Sequence, residues 1–300
     1  KTIFSKHQEI GVDISQSLYT DTKQRIFGTA LSFGHGNLIR TEAFKKICVP
    51  RGVLSHDIWD MVLMNRIGYR TMSCPDVVSY EEVPNNYLEM LKRDKRWIEG
   101  NFRSLPLLFQ KHISLGAWFY VFYGIFFYLA QPIFLGWIFL TLLGNSTIFG
   151  QHLFFKPIIS SGSVTFFFEF HYFAALILFI LYGHKFIICR TLKDIFIVTK
   201  ELIFSTFLNL NNIVYHSIDI ISLAFQKVAW VPMKKDPFKH VTLWNTTHAL
   251  LPGTAIGVAF IYFLMHFTPY MSILIIPIIA CFILSIPVIY ITSLPFFDRK

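Results

Sequence analysis

No charged residue occurs between Lys111 and Lys156, a stretch dominated by Phe, Tyr, Leu and Ile. A helix needs about 20 apolar residues to cross a bilayer, so this stretch predicts an interfacial helix followed by a membrane crossing. Over the whole chain 15% of residues are charged, whereas soluble domains contain about 25%. Most acidic residues precede residue 113. The sequence therefore predicts a soluble domain at 1–112 and a transmembrane and interfacial helical domain at 113–300.

Apolar sequence recurs in five segments of the second domain, at 113–143, 170–189, 201–226, 247–266 and 271–293. Lysine and arginine cluster at segment ends that the positive-inside rule places in the cytoplasm, and the soluble domain lies on the same side. Segment 201–226 has both ends on that side. It also contains polar residues that are costly in lipid, namely Asn209, Asn211, Asn212, His216 and Asp219. An interfacial or re-entrant amphipathic helix therefore suits this segment better than a membrane span, and we predict that it lies at the cytoplasmic interface.

The soluble domain alternates between extended and helical patterns. Its predicted elements are a strand at 26–33, a helix at 55–69, two extended pieces within 69–80 and a helix at 85–100. Ser55 is the predicted N-cap of the first helix, Asn85 or Asn86 that of the second, and Gly100 the predicted end. This order indicates an α/β fold, too short for a complete nucleotide-binding domain.

One face of the second predicted helix combines basic and aromatic side chains. Arg93, Arg96, Trp97 and Gly100 occupy positions i, i+3, i+4 and i+7, which share a face. Guanidinium groups bind phosphate oxygens bidentately, and an indole offers a flat platform for a sugar or a base. The alternative is a basic cluster, with Lys92 and Lys95, that attracts anionic lipid.

Two further motifs lie upstream of this helix. Asp57 falls in the first turn of its predicted helix, where the helix dipole stabilises a carboxylate that could serve as a general base. The alternative is an ordinary acidic residue at a helix start. Gly34 and Gly36 flank His35 and would let a ligand approach the backbone, although such turns also occur without ligands.

The net charge of +9 raises the question of an anionic partner. Basic residues sit mainly at the ends of apolar runs, which favours contact with a lipid bilayer over nucleic acid. The four cysteines, Cys48, Cys74, Cys189 and Cys281, have no CxxC spacing. They therefore predict no metal site within this chain.

The order and spacing of these motifs resemble the second half of the catalytic domain of processive family-2 glycosyltransferases, such as cellulose synthases. There a Thr-Glu-Asp motif supplies the base and a Gln-x-x-Arg-Trp motif lies on an interfacial helix. Here the first reads Ser55-His56-Asp57 and the second runs from Arg93 to Trp97. The departures at His56 and Arg93 point to a narrower resemblance, to the glucans biosynthesis glucosyltransferase H family. The stretches "FGHGNLIRTEAF", "GVLSHDIWDMVLMNRIGY" and "NIVYHSIDI…WVPMKKDP" also resemble that family.

The resemblance implies the C-terminal half of a GT-A-type domain, followed by membrane helices, in the bacterial inner membrane. It implies an inverting glucosyltransferase that uses UDP-glucose to build the β-glucan backbone of osmoregulated periplasmic glucans. Asp57 would be the base, and the implied substrate-binding residues are Gly34, His35, His56, Arg93, Arg96 and Trp97. A gating loop would contain Trp230, Lys234 and Lys235.

The same family binds the nucleotide diphosphate and a divalent metal, Mg or Mn, through an Asp-x-Asp motif. None occurs in these 300 residues, so we expect a fragment without the donor and metal ligands, inactive alone. The growing glucan chain and a periplasmic glucan-processing protein are further implied partners. The alternatives are another processive synthase, of cellulose, chitin or hyaluronan, and a non-enzymatic transporter with a path lined by His171, Asn209 and Asp219.

Overall fold

The computed structural model places most of the residues that it describes in helices. It describes the chain apart from residues 16–19, 33, 35, 75, 78, 145–146, 149–150, 153–182, 184, 187–188, 226–240, 268–271 and 296–300. The first elements are α1 (Ile3–Ser15), α2 (Asp21–Phe27), α3 (Thr41–Phe44), α4 (His56–Arg66), α5 (Tyr87–Arg103) and a 3-10 turn (Leu105–Phe109). The later elements are α6 (Leu115–Gly144), β1 (Thr147–Ile148), β2 (Gln151–His152), α7 (Leu192–Leu223), α8 (Leu243–Phe267), α9 (Ser272–Ile283) and α10 (Ser285–Thr292).

The chain divides into two compact units. The first unit comprises Lys1–Pro132, Val214–Thr246 and Ile289–Lys300, and the second comprises Ile133–Ile213 and Thr247–Val288. Helices α6, α7, α8 and α10 therefore each contribute one part to each unit. The predicted domains at 1–112 and 113–300 separate soluble from membrane-spanning sequence, which is a different division, and they stay a prediction.

The core of the first unit contains buried residues of α4 and of the beginning of α6. In both helices these residues recur at i, i+3 and i+4, which places them on one face. The cluster consists of Ile58, Met61 and Val62 from α4, Leu107 from the 3-10 turn, and Ala117, Tyr120, Val121 and Ile125 from α6. This packing ties α4, which carries Asp57 in its first turn, to α6.

Helix α5 begins as predicted but ends later. The side-chain oxygen of Asn86 accepts a hydrogen bond from the N–H of Glu89 at 3.0 Å, so Asn86 is the N-cap. The predicted end at Gly100 is wrong, because the helix continues to Arg103. Gly100 serves packing instead: a Cβ there would lie only 2.5 Å from the Cβ of Ser55.

The predicted strand at 26–33 is wrong. Ile26 and Phe27 belong to α2, and Gly28 caps that helix with a left-handed φ of 67°. The N–H of Ala30 then donates to the carbonyl of Thr71 at 2.7 Å, but one such bond is not a strand ladder. The described residues of 26–33 and 69–80 contain no strand, and the only sheet in the described part of the chain is the antiparallel pair β1–β2. The expected α/β organisation is therefore not observed there.

Two of the described helices are long and apolar enough to cross a membrane, at Leu115–Gly136 and Leu243–His266. They overlap the first and fourth predicted apolar segments. Helix α7 covers the predicted interfacial segment 201–226 and is not one of these two, and its place relative to a membrane stays a prediction. Segment 170–189 lies mostly outside the described residues, and segment 271–293 contains α9 and α10.

Buried polar contacts stabilise the second unit. Asn211 is fully buried, and its amide donates to the carbonyl of Cys281 at 3.2 Å. Lys185 and Glu201 form a buried ion pair at 2.8 Å, and the Ser205 hydroxyl donates to the second carboxylate oxygen at 2.6 Å. A buried charge is tolerated when it is paired in this way, since an unpaired one would carry the full cost of desolvation.

Candidate functional site

The carboxylate of Asp57 has one oxygen engaged by a neighbour. The Ser55 hydroxyl donates to Asp57 Oδ1 at 2.7 Å. Ser55 occupies the N-cap position, as predicted, but its hydroxyl turns to the carboxylate and not to a backbone N–H of α4. This hydrogen bond fixes the orientation of the Asp57 side chain and leaves Oδ2 outside the contact with Ser55.

Gly34 approaches the same carboxyl group from the turn that precedes α3. Its φ is +76°, a conformation that favours glycine. A Cβ at this position would lie 3.4 Å from the Cβ and 3.7 Å from Oδ2 of Asp57. The structure therefore brings together Gly34 and Asp57, and a larger side chain at position 34 would crowd the carboxyl group.

His56 has a different neighbour. Its exposed imidazole places Nδ1 3.0 Å from Oδ2 of Asp60, a buried residue one turn further along α4. The pair satisfies part of a buried carboxylate that would otherwise be costly. Substrate binding by His56 stays a prediction.

The basic and aromatic face of α5 meets this site through Gly100, whose missing side chain admits Ser55. Trp97 lies about 4.5 Å and Arg93 about 10 Å further along the same face, given the helical rise of about 1.5 Å per residue. The guanidinium of Arg93 stacks on the Trp97 ring, with Cζ 4.2 Å from the ring centroid. Trp97 is 47% exposed. The result is a half-open platform with a cation above an indole, within two turns of the contact between Gly100 and Ser55.

The remaining basic residues of α5 point to separate partners. Lys92 pairs with Glu89 at 2.8 Å on the surface, and Lys95 pairs with Asp219 of α7 at 3.1 Å. Arg96 is half-buried. Lys95 is therefore committed to a contact within the protein, whereas Lys92 has the exposure that the lipid-facing alternative requires.

Contacts between α5 and the end of α7 were not predicted from the sequence. Nε2 of the buried His216 lies 3.4 Å from Oδ2 of Asp94, itself only 5% exposed. One turn beyond His216, burial raises the pKa of the Asp219 carboxyl, and the ion pair with Lys95 opposes this. His216 and Asp219 stand at i and i+3, so they share a face. That spacing of polar residues in an otherwise apolar helix is the signal that could have revealed the contact.

The end of α7 also packs on the first residue of α5. Tyr215 and Tyr87 meet edge to face, with ring centroids 6.2 Å apart. Tyr87 is fully buried, and burial raises the pKa of its hydroxyl well above the ordinary value. The hydroxyl therefore stays neutral at any physiological pH.

Several predicted residues cannot be placed. His35 and the predicted gating-loop residues Trp230, Lys234 and Lys235 lie outside the described residues. Within the described part of the chain, no group of three or more His, Cys, Asp or Glu side chains could hold a metal ion. The described residues therefore offer no fitting donor set for the Mg or Mn that the resemblance implies.

The geometry defines what this part of the chain can do chemically. Asp57 is a carboxylate held in one orientation, which suits it to accept a proton from a hydroxyl brought within about 3 Å. Trp97 offers a partly exposed ring face of the kind on which a pyranose stacks. Arg93 keeps a delocalised charge beside that ring, where it can meet phosphate oxygens.

Comparison with known proteins places the chain among transferases of sugars. The glycosyl transferase family group 2 model matches residues 7–188, a range that includes Gly34, Asp57, Arg93 and Trp97. Proteins named glucans biosynthesis glucosyltransferase H are similar to it: one from Cupriavidus pinatubonensis is 30% identical over 171 residues, 52% of this chain and 19% of the relative. The protein of that name from Pseudomonas putida (strain W619) is 29% identical over 172 residues. The one from Caulobacter vibrioides is 38% identical over 93 residues.

These relatives confirm the resemblance that the motifs suggested. The matched stretch spans 20% of the Pseudomonas protein and 14% of the Caulobacter protein, and 52% and 27% of this chain. No solved structure matches the chain. Since the family match extends over more than half of its residues, the chain belongs to glycosyl transferase family group 2.

Proposed function

We propose that this chain forms the acceptor side of a membrane-embedded, inverting glucosyltransferase that uses UDP-glucose to build a β-glucan backbone. The observation that carries the proposal is the carboxylate of Asp57, which is bordered by Gly34 and oriented by Ser55, the residue on which Gly100 of α5 packs. The relatives are named for glucan biosynthesis, and that name supports the choice of glucose and of a glucan acceptor.

The reaction is a single displacement. Asp57 removes the proton from the acceptor hydroxyl as the hydroxyl oxygen bonds to the anomeric carbon of the donor. The bond from that carbon to the diphosphate breaks on the opposite face, so the configuration inverts, and the diphosphate leaves with the bonding electrons. Because Ser55 donates to Oδ1, the proton goes to Oδ2, which faces away from that hydrogen bond.

The other residues of the site bind and stabilise charge. Arg93 and Arg96 offset the charge that develops on the departing diphosphate, and Trp97 stacks on the acceptor sugar. A divalent cation, Mg or Mn, would neutralise charge on the donor diphosphate, and we propose that its ligands lie outside this chain. The helices at Leu115–Gly136 and Leu243–His266 anchor the enzyme in the inner membrane, with Asp57 on the cytoplasmic side, and the glucan leaves toward the periplasm.

The proposal includes a fold. The hydrogen bond between Ala30 and Thr71 joins two segments that lie outside the helices, and we assign them to the edge of a GT-A sheet. Neighbouring strands would complete that sheet in the whole protein, because a pair of strands is marginally stable by itself.

Replacement of Asp57 tests the function. The change Asp57→Asn keeps the size of the side chain and can still accept the Ser55 hydrogen bond, but an amide is no base. Positioned acid–base groups contribute about 10²–10⁴-fold, so incorporation of labelled glucose from UDP-glucose should fall to near background in membranes containing the full-length protein. The matched control is Asp76→Asn, an exposed aspartate of the same region. Normal incorporation by Asp57→Asn would exclude Asp57 as the base.

A further inference from the structure

A cluster of five residues connects the platform on α5 to the end of α7. It consists of Trp97, Arg93, Asp94, His216 and Tyr128, and all five belong to the first unit. Arg93 stacks on Trp97, and its Nε and Nη2 both lie 3.0 Å from Oδ1 of Asp94. The second oxygen of Asp94 faces Nε2 of His216, and the His216 ring meets Tyr128 edge to face with centroids 5.4 Å apart.

The two oxygens of Asp94 are therefore divided between two partners. Oδ1 accepts hydrogen bonds from the guanidinium of Arg93, and these bonds are charge-assisted. They satisfy one of the two carboxylate oxygens of Asp94, a residue that is only 5% exposed. Oδ2 takes no part in the contact with Arg93. His216 is the group that faces it.

The imidazole of His216 is buried and, within the described part of the chain, without a hydrogen bond. It is 2% exposed, and neither ring nitrogen has a hydrogen-bond partner among the described residues. The separation of 3.4 Å between Nε2 and Oδ2 exceeds the usual upper limit for an N–H···O bond by only about 0.2 Å. A small approach of the two helices would therefore let Nε2 donate to Oδ2.

We infer that His216 is a positioning residue for Arg93. By donating from Nε2 to Oδ2, it fixes the carboxylate of Asp94, and the fixed Oδ1 in turn holds the guanidinium over Trp97. The contacts with Asp94 use Nε and Nη2, so they leave Nη1 to donate to a ligand. The inference rests on the proposed function, because the ligand is the departing diphosphate.

This role differs from simple packing in what it does to the kinetics. A group that stabilises charge formed only in the transition state lowers kcat when it is misplaced, with little change in KM. A displacement of about 1 Å at a reacting centre costs up to about 10²-fold. A histidine that only fills space would change the amount of folded protein and leave turnover per folded molecule unchanged.

Two substitutions in the full-length protein separate these roles. His216→Gln keeps an N–H donor near the position of Nε2, whereas His216→Phe keeps a ring and removes the donor. We expect kcat to fall at least about tenfold in His216→Phe with the KM for UDP-glucose within about twofold, and His216→Gln to retain most of kcat. Val214→Ala is the control, since Val214 is equally buried on the same helix without a polar group. If His216→Phe does not accumulate, His216→Met serves, because a flexible thioether fills irregular space.

A double-variant cycle tests the path through Arg93. In an Arg93→Gln background, His216→Phe should cause no further loss, because the group that it positions is already absent. Losses that multiply would overturn the inference, and so would normal turnover in His216→Phe or equal losses in the Gln and Phe variants.

A measurement without turnover separates this inference from the proposed function. Acrylamide quenching of Trp97 fluorescence, isolated by subtracting the Trp97→Phe protein, should increase in His216→Phe and stay unchanged in His216→Gln, because a guanidinium held at 4.2 Å shields one ring face. If the unmutated protein transfers no glucose but quenching responds in this way, the proposed function fails and the positioning role stands. If the protein transfers glucose and His216→Phe alters neither kcat nor quenching, the positioning role fails.

Discussion

Because Gly100 packs closely against Ser55, we predict that the single methyl group added in Gly100→Ala will reduce activity strongly and stability only slightly. In Gly100→Ala the new Cβ would lie 2.5 Å from Ser55 Cβ and 3.1 Å from its Oγ, whereas carbon atoms pack at about 3.5–4.0 Å. The Cβ of Ser55 is fixed to the backbone and cannot rotate away. The start of α4 must therefore move by about 1 Å relative to α5.

The expected magnitudes follow from this displacement. Overpacking costs about 1–3 kcal/mol, and alanine recovers about 1 kcal/mol over glycine inside a helix, so the net loss of stability is about 0–2 kcal/mol. Asp57 moves together with Ser55, to which it is hydrogen-bonded, and a displacement of this size costs about 10–10²-fold in rate. Labelled-glucose incorporation by the full-length protein should fall by that factor, while its thermal unfolding midpoint changes by a few degrees at most.

Two further variants make the interpretation specific. Gly136→Ala is the control, because a Cβ at this helical position meets nothing within 4 Å, and we expect normal activity. Adding Ser55→Gly to Gly100→Ala removes the clash and the hydroxyl together, so stability should recover while activity stays low. Normal incorporation by Gly100→Ala at unchanged stability would show that Ser55 and Gly100 do not pack as described, and the link between α5 and Asp57 would be refuted.

Three other predictions concern charge, topology and the predicted gating-loop residues. Burial raises the pKa of the Asp219 carboxyl, so the folded protein favours its protonated form. Protonation of Asp219 therefore stabilises the folded protein. This stabilisation is fully present below the ordinary pKa of about 3.9 and is lost as the pH rises through the pKa of Asp219 in the folded protein. Unfolding midpoints of the wild type relative to Asp219→Asn should therefore decrease from pH 4 toward neutrality, and a constant difference would contradict this. A cysteine in place of Ile221, an exposed residue of α7, should react with an impermeant thiol reagent only from the cytoplasmic side, and periplasmic labelling would exclude the interfacial placement. Replacing Lys234 and Lys235 with glutamine should raise the UDP-glucose concentration needed for half-maximal rate, and an unchanged requirement would leave only a role as a membrane-surface anchor.

The features that the sequence predicted correctly depend on neighbours within a few residues. Asn86 caps α5 because its own side chain reaches the N–H three residues ahead. Arg93 meets Trp97 because i and i+4 are adjacent on any helix. The apolar helix from Leu115 follows from composition alone. In each case the controlling interaction is local, so the periodicity of the sequence contains it.

The features that the sequence did not predict depend on contacts between segments that are distant along the chain. The alternation at 26–33 suggested a strand, but a strand forms only when neighbours supply a ladder, and Ala30 finds one backbone partner, Thr71. Gly100 suggested a helix end because glycine is common there. The packing requirement at Ser55, which no local pattern records, is what the structure shows instead. The pair of Asp94 and His216 was missed for the same reason.

Helix α5 relates the proposed base to the apolar helix. Gly100 admits Ser55, and the next residue, Asn101, approaches α6 so closely that a Cβ at Gly124 would overlap its side-chain oxygen. Consecutive residues differ by about 1.5 Å in height and 100° in direction, so Ser55, which is hydrogen-bonded to Asp57, and the apolar helix α6 meet α5 at nearly the same level on different sides. The Trp97 platform lies about one turn away toward the start of α5. Under the proposed function, the acceptor end that stacks on Trp97 therefore reaches Asp57 at the level of Gly124.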